Sequence, residues 1–199
     1  MKDPISTWLH VCRLLLVCLP LAAVAKAPPP PAMKPVPITS QERQSIKDFS
    51  PLGECAAPSV ESKQSFRLQQ KGAPLDGVLL ISMTCRDAHG VVAFGLYRNG
   101  KLEQALPAHP ANTWSVEEIQ AIAFPDVNGD GRFELLTIVS AMTGVGPEGA
   151  DPFNVATVWF QSADGKWAAD PRADKALEQV KQPDVKKAVA ALKKAYAKK

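Results

Sequence analysis

The sequence predicts a mainly β protein, an antiparallel sheet or sandwich of about eight short strands with a short N-terminal helix and an amphipathic C-terminal helix. Three observations carry that expectation. Eighteen prolines stand beside seven Phe, four Trp and two Tyr in 199 residues, a balance that favours short strands and turns over long helices. Alternating or wholly apolar runs of strand length recur between residues 64 and 168. Asn99-Gly100, set between two such runs, is the dipeptide that a two-residue hairpin turn demands. A hydrophobic fraction of 46% with 22% charged residues fits a globular chain, and a net charge of +3 argues against nucleic acid as a partner.

The chain opens with a segment of a different kind. Lys2 and Arg13 precede the apolar run from Leu14 to Leu21, and the small residues Ala22 to Ala25 follow it. Positive, apolar, small is the order of a secretory signal peptide, and the apolar core is too short to span a bilayer. Ala23-Val24-Ala25 supplies the small-x-small pattern, which places cleavage after Ala25 and the mature chain in the periplasm or outside the cell. Residues 26–38 then read as a stiff, extended spacer, because 28–37 hold six prolines in ten positions.

From Thr39 the sequence predicts a β-rich domain over 39–171. Thr39 and Glu42 make a capping box for a short helix that ends before Pro51, with Ile46 and Phe49 on its apolar face. Strands are expected around Phe66 and Leu68, then over 77–85, 91–97, 101–106, 117–124, 134–141 and 154–161, with a last one near Trp167. Leu135 and Val139 fall on one face of 134–141, and Leu136 and Ile138 on the other, so that strand is central and covered on both sides. Residues 172–199 form a basic helical segment. Pro183 suits a first helical position, and Val185, Val189, Leu192 and Tyr196 share one stripe with the lysines away from it. That segment carries a net +6, which leaves −4 for residues 26–171.

Export also decides the cysteines. Cys12 and Cys18 leave with the signal peptide, so Cys55 and Cys85 remain and are predicted to pair. A bridge closing 31 residues stabilises by roughly 3–4 kcal/mol in the chain-entropy account.

The residues that carry chemistry run from Asp126 to Glu134, DVNGDGRFE. Side-chain oxygens recur at Asp126, Asn128, Asp130 and Glu134, and Arg132 can offer its backbone carbonyl. A hard dication of calcium's size takes six to eight oxygens, which alternate residues of a tight loop can direct inward. Gly129 and Gly131 allow the turns. The loop is not an EF-hand, since Thr137 stands where that motif has glutamate and the flanks read as strands.

The run from Ala121 to Val139, AIAFPDVNGDGRFELLTIV, resembles the FG-GAP or VCBS calcium-binding repeat of propellers and exported bacterial proteins. The resemblance implies a loop joining two antiparallel strands. It implies calcium ligands at Asp126, Asn128, Asp130 and Glu134, with the carbonyl of Arg132. Glu134 departs from the usual Asp, and one loop in 199 residues does not make a propeller.

Other candidates are weaker. Thr143–Gly149 is glycine-rich but lacks the GK[ST] of a phosphate loop and reads as a long hairpin connection or a recognition loop. His89 and His109 have no serine or cysteine elbow beside them. Trp114, Trp159 and Trp167 suit either a core or a sugar-stacking surface. Together these features predict an exported cell-envelope protein with a structural calcium loop, acting as a non-catalytic binding module for an envelope protein or glycan. The basic C-terminal helix offers weak contact with a membrane surface. The competing expectation is a small metal-dependent hydrolase.

Overall fold

The computed structural model describes residues 34–70, 74–86, 90–144 and 151–197. The signal segment with Cys12 and Cys18, residues 26–33 of the spacer, His89 and the centre of the glycine-rich loop lie outside them. Two antiparallel sheets pack face to face. The first holds β1 (Lys34–Pro37), β2 (Pro58–Val60), β3 (Phe66–Gln69), β4 (Leu79–Cys85), β5 (Val91–Arg98) and β6 (Lys101–Ala105). Its order is β1-β3-β4-β5-β6, with β2 sharing the β3 side of β4. The second holds β7 (Ser115–Ala123), β8 (Leu135–Met142), β9 (Phe153–Gln161) and β10 (Trp167–Ala169), in the order β10-β9-β8-β7. Helices α1 (Ser40–Ser45), α2 (Pro171–Leu177) and α3 (Val185–Tyr196) accompany the strands, with short 3-10 turns at Ser50–Leu52, Ser62–Gln64 and Pro110–Thr113.

Alternation along the strands sorts the apolar side chains into three layers. Leu80, Val92, Phe94 and Leu96 meet Leu135, Val139, Trp159 and Trp167 between the sheets. Leu79, Ile81, Met83 and Tyr97 point the other way, under Ile38, Ile46, Phe49 and Leu52. On the far side of the second sheet, Leu136 and Val158 lie beneath Ala173, Leu177, Ala188 and Leu192 of α2 and α3. β8 is therefore central and covered on both faces, as its two-sided apolar pattern requires. Across the sandwich, the Gln104 amide closes two hydrogen bonds on the Trp167 backbone, at 2.7 and 3.0 Å, and ties β6 to β10.

Local chemistry explains the element ends. The capping box forms: Thr39 Oγ1 accepts the Glu42 N–H at 3.2 Å, and the Glu42 carboxylate accepts the Thr39 N–H at 2.8 Å. Asn99 and Gly100 take φ of 51° and 76°, the left-handed pair that a type I′ turn needs between β5 and β6. The Cys55–Cys85 disulfide, with Cα atoms 5.9 Å apart, ties the segment before β2 to the end of β4.

Three details depart from the expectation. Residues 34–37 are not spacer but edge strand β1, with Pro35 opposite Leu68 and Pro37 opposite Phe66. An edge position tolerates proline because one side of the strand needs no ladder donor. Ile46 and Phe49 lie beyond the end of α1, yet both pack on the outer face of the first sheet. Pro183 is not the first residue of α3; Asp184 caps that helix, accepting the Lys187 N–H at 2.8 Å, and Val185 begins it. The stripe Val185, Val189, Leu192 and Tyr196 faces the sheet, and Lys186, Lys187, Lys193 and Lys194 are exposed. Among the described residues, no helix is long and apolar enough to cross a membrane.

Candidate metal site

β7 and β8 are antiparallel neighbours, so the segment from Phe124 to Glu134 closes a hairpin. Its curvature comes from side chains that stand in for a missing ladder. Asp126 accepts the N–H groups of Gly129 and Gly131 at 2.7 and 3.0 Å. Asn128 Oδ1 accepts the Asp130 N–H at 2.9 Å, and Asp130 Oδ1 accepts that of Arg132 at 2.8 Å. These are successive Asx turns, and Gly129 and Gly131 supply the positive φ of 73° and 83° between them. Glu134 closes the loop from below. Its N–H donates to the Pro125 carbonyl, and its Oε2 accepts the Val127 N–H, both at 2.7 Å.

The loop brings three carboxylates together: one oxygen each of Asp126, Asp130 and Glu134 lies within 4.8 Å of the others. Asp126 and Asp130 are exposed, whereas Glu134 is only 1% exposed. Burial pushes the Glu134 carboxyl up to about 7, and the charges of Asp126 and Asp130 push the same way against the Val127 hydrogen bond. Metal chemistry can be tested on this donor set. All-oxygen donors suit a hard dication, and oxygens opposed across an ion with bonds of about 2.4 Å stand roughly 5 Å apart. The cluster falls within that span, so Asp126, Asp130 and Glu134 could hold a metal ion.

Arg132, expected to offer its backbone carbonyl, also turns its side chain back onto the loop. Its guanidinium pairs with Asp130 Oδ2 at 2.7 Å. Both side chains are partly exposed, which makes this a weak surface pair that a dication can replace.

The other candidates resolve separately. His109 is a core residue, 1% exposed, between Phe94 and Trp159 with ring centroids 6.1 Å from each. Its Nδ1 accepts the Ala111 N–H at 3.1 Å, so the neutral ring carries its proton on Nε2, 3.1 Å from Thr137 Oγ1. Burial holds the imidazole near 3, far below its ordinary value. Trp159 and Trp167 fill the core, while Trp114 is 36% exposed and stands edge-on to Phe153 at 5.0 Å. Sequence reasoning missed what lies beside Trp114, a groove of about 360 Å³ between β9 and α2. An isolated tryptophan was its only trace in the sequence. No protein-family model, curated protein or solved structure matches this chain.

Proposed function

We propose that the chain is an exported cell-envelope protein whose FG-GAP/VCBS-type loop binds calcium structurally, and that it acts as a non-catalytic binding module. One observation carries the metal reading: three carboxylate oxygens from Asp126, Asp130 and Glu134 converge within 4.8 Å on a single hairpin. Three negative charges at that spacing repel one another, and a dication offsets the repulsion. Asn128 and the Arg132 carbonyl, with water, would complete six or more oxygens.

The non-catalytic reading is supported by how the titratable groups are used. The two ring nitrogens of His109 are both engaged inside the core, where no substrate reaches them. The carboxylates of the loop hold its own backbone N–H groups and, once spent on a metal, are poor general bases. Export rests on the order of charges and apolar residues in 1–25, and it accords with the Cys55–Cys85 disulfide.

Three experiments test this. Calcium titration by calorimetry should show one site in the wild type and none in Asp130→Ala. A screen of the purified protein against hydrolase substrates should show no metal-dependent turnover; activity lost in Asp130→Ala would establish the hydrolase instead. Intact mass of the exported protein should correspond to a chain starting at Lys26 with no alkylatable thiol.

A further inference from the structure

Sheet edges are reactive, and this protein blunts most of them. β1 carries Pro35 and Pro37, β6 carries Lys101 and Glu103, and the β7–β8 ladder has two bulges. β9 is the exception. β10 covers only Trp159–Gln161, and no described strand pairs with Phe153–Val158 on the side away from β8. The Asn154 N–H points to that open side, where the Gln182 side-chain oxygen accepts it at 3.2 Å. Backbone groups of alternate residues face the same way along a strand, so the N–H and C=O of Ala156 are presented there too.

Residues Phe153 to Thr157 form the floor of the groove beside Trp114, and at one end Pro183 lines it, its carbonyl accepting Asn154 Nδ2 at 3.0 Å. On the core side its wall is Pro110 and Trp114, with the Phe153 ring against the tryptophan. On the helix side its wall includes Asp174 and Glu178 of the α2 region. Asp174 is raised above its ordinary value, first by burial and then by the charges of Asp170 and Glu178, and the two groove carboxylates together make this wall acidic. Thr157, 4% exposed, also lines the groove, and its hydroxyl has no hydrogen-bond partner among the described residues.

We propose that this groove is a strand-addition site for an extended peptide whose side chains alternate between apolar and basic. Alternate residues of an added strand point to opposite faces of the sheet. One set therefore meets Trp114 and Phe153, and the other meets Asp174 and Glu178. The peptide backbone pairs with Ala156, and its carbonyl takes the place of the Gln182 amide on Asn154. Main-chain bonds supply affinity and the two walls supply selectivity, the division of labour of other edge-binding domains. This deepens the binding-module reading and rests on it, but not on the metal loop.

The probe is a capped heptapeptide alternating valine and lysine, titrated into the full mature protein. Binding is followed by tryptophan emission and by hydrogen exchange at the Ala156 amide. The expected result is saturable binding with slowed exchange at Ala156, weakened at least about tenfold in Trp114→Ala and in Asp174→Asn/Glu178→Gln. A valine–glutamate peptide and a backbone N-methylated valine–lysine peptide should bind at least about tenfold more weakly. No binding up to about 1 mM would overturn the proposal. Equal affinity for the N-methylated peptide would overturn strand addition while leaving a binding module in place, and hydrolase turnover in the separate screen would instead sink the module.

Discussion

Glu134 and His109 are both titratable, both 1% exposed, and both tied to β8, yet they are stabilised in opposite ways. His109 is complete. Its two nitrogens meet the Ala111 N–H and the Thr137 hydroxyl, Thr137 lies 3.5 Å from the Thr157 carbonyl, and the ring stays neutral. Glu134 is not complete. It accepts one backbone N–H while facing two further carboxylates, so its charge lacks compensation from the protein itself. Burial of a titratable side chain therefore does not mark a functional site. What separates the two is whether the surrounding groups already balance the buried group: they do at His109, and at Glu134 they do not.

The largest expected effect lies on the completed side. His109→Leu removes the acceptor of a buried N–H and the ring between Phe94 and Trp159, and should cost about 3 kcal/mol. Urea denaturation would measure it, and the calcium response should survive unchanged. A cost under about 0.5 kcal/mol would mean the core network is incidental.

Acid gives the next effect. The folded value of His109 is depressed, so the unfolded chain binds its proton more readily, and stability present above the unfolded value is lost as pH falls toward about 3. Between pH 7 and 5 that loss should be about 2 kcal/mol, given an unfolded value near 6.5. The same acid step should be missing in His109→Leu, which separates this group from the carboxylates.

On the loop side, Glu134→Gln keeps an acceptor for the Val127 N–H and removes one of three converging charges. In chelator it should be neutral or stabilising within about 1 kcal/mol, because repulsion falls. In calcium it should lose the metal's stabilisation. A strong destabilisation in chelator would show that the carboxylate serves packing rather than a cation.

Local chemistry was legible in the sequence, and long-range pairing was not. The Thr39–Glu42 box, the Asn99-Gly100 turn and the stripe of α3 each depend on residues within a turn or two, and each formed. The two-faced pattern of β8 correctly implied cover on both sides. By contrast, Lys34–Pro37 became a strand only because Phe66–Gln69, some thirty residues on, offered it an edge. At the candidate site the three carboxylates were readable from their spacing, since one tight hairpin gathers them. The Arg132–Asp130 pair was not, because spacing assigns the backbone carbonyl and says nothing of where a long side chain turns. Nor was the Trp114 groove, whose walls come from before β7, from β9 and from α2.

The most direct test is a thermal melt of the mature protein in chelator and in calcium. Extracellular calcium modules bind with dissociation constants of roughly 10⁻⁴–10⁻³ M. At ~1 mM free ion and ~0.1 mM affinity, linkage gives about 1.4 kcal/mol. For a domain of this size Tm should rise by roughly 3–6 °C. Magnesium should give less, and Asp126→Ala or Asp130→Ala should abolish the shift with the fold intact. A melt identical in chelator and in millimolar calcium would contradict the account and leave residues 126–134 a bare turn.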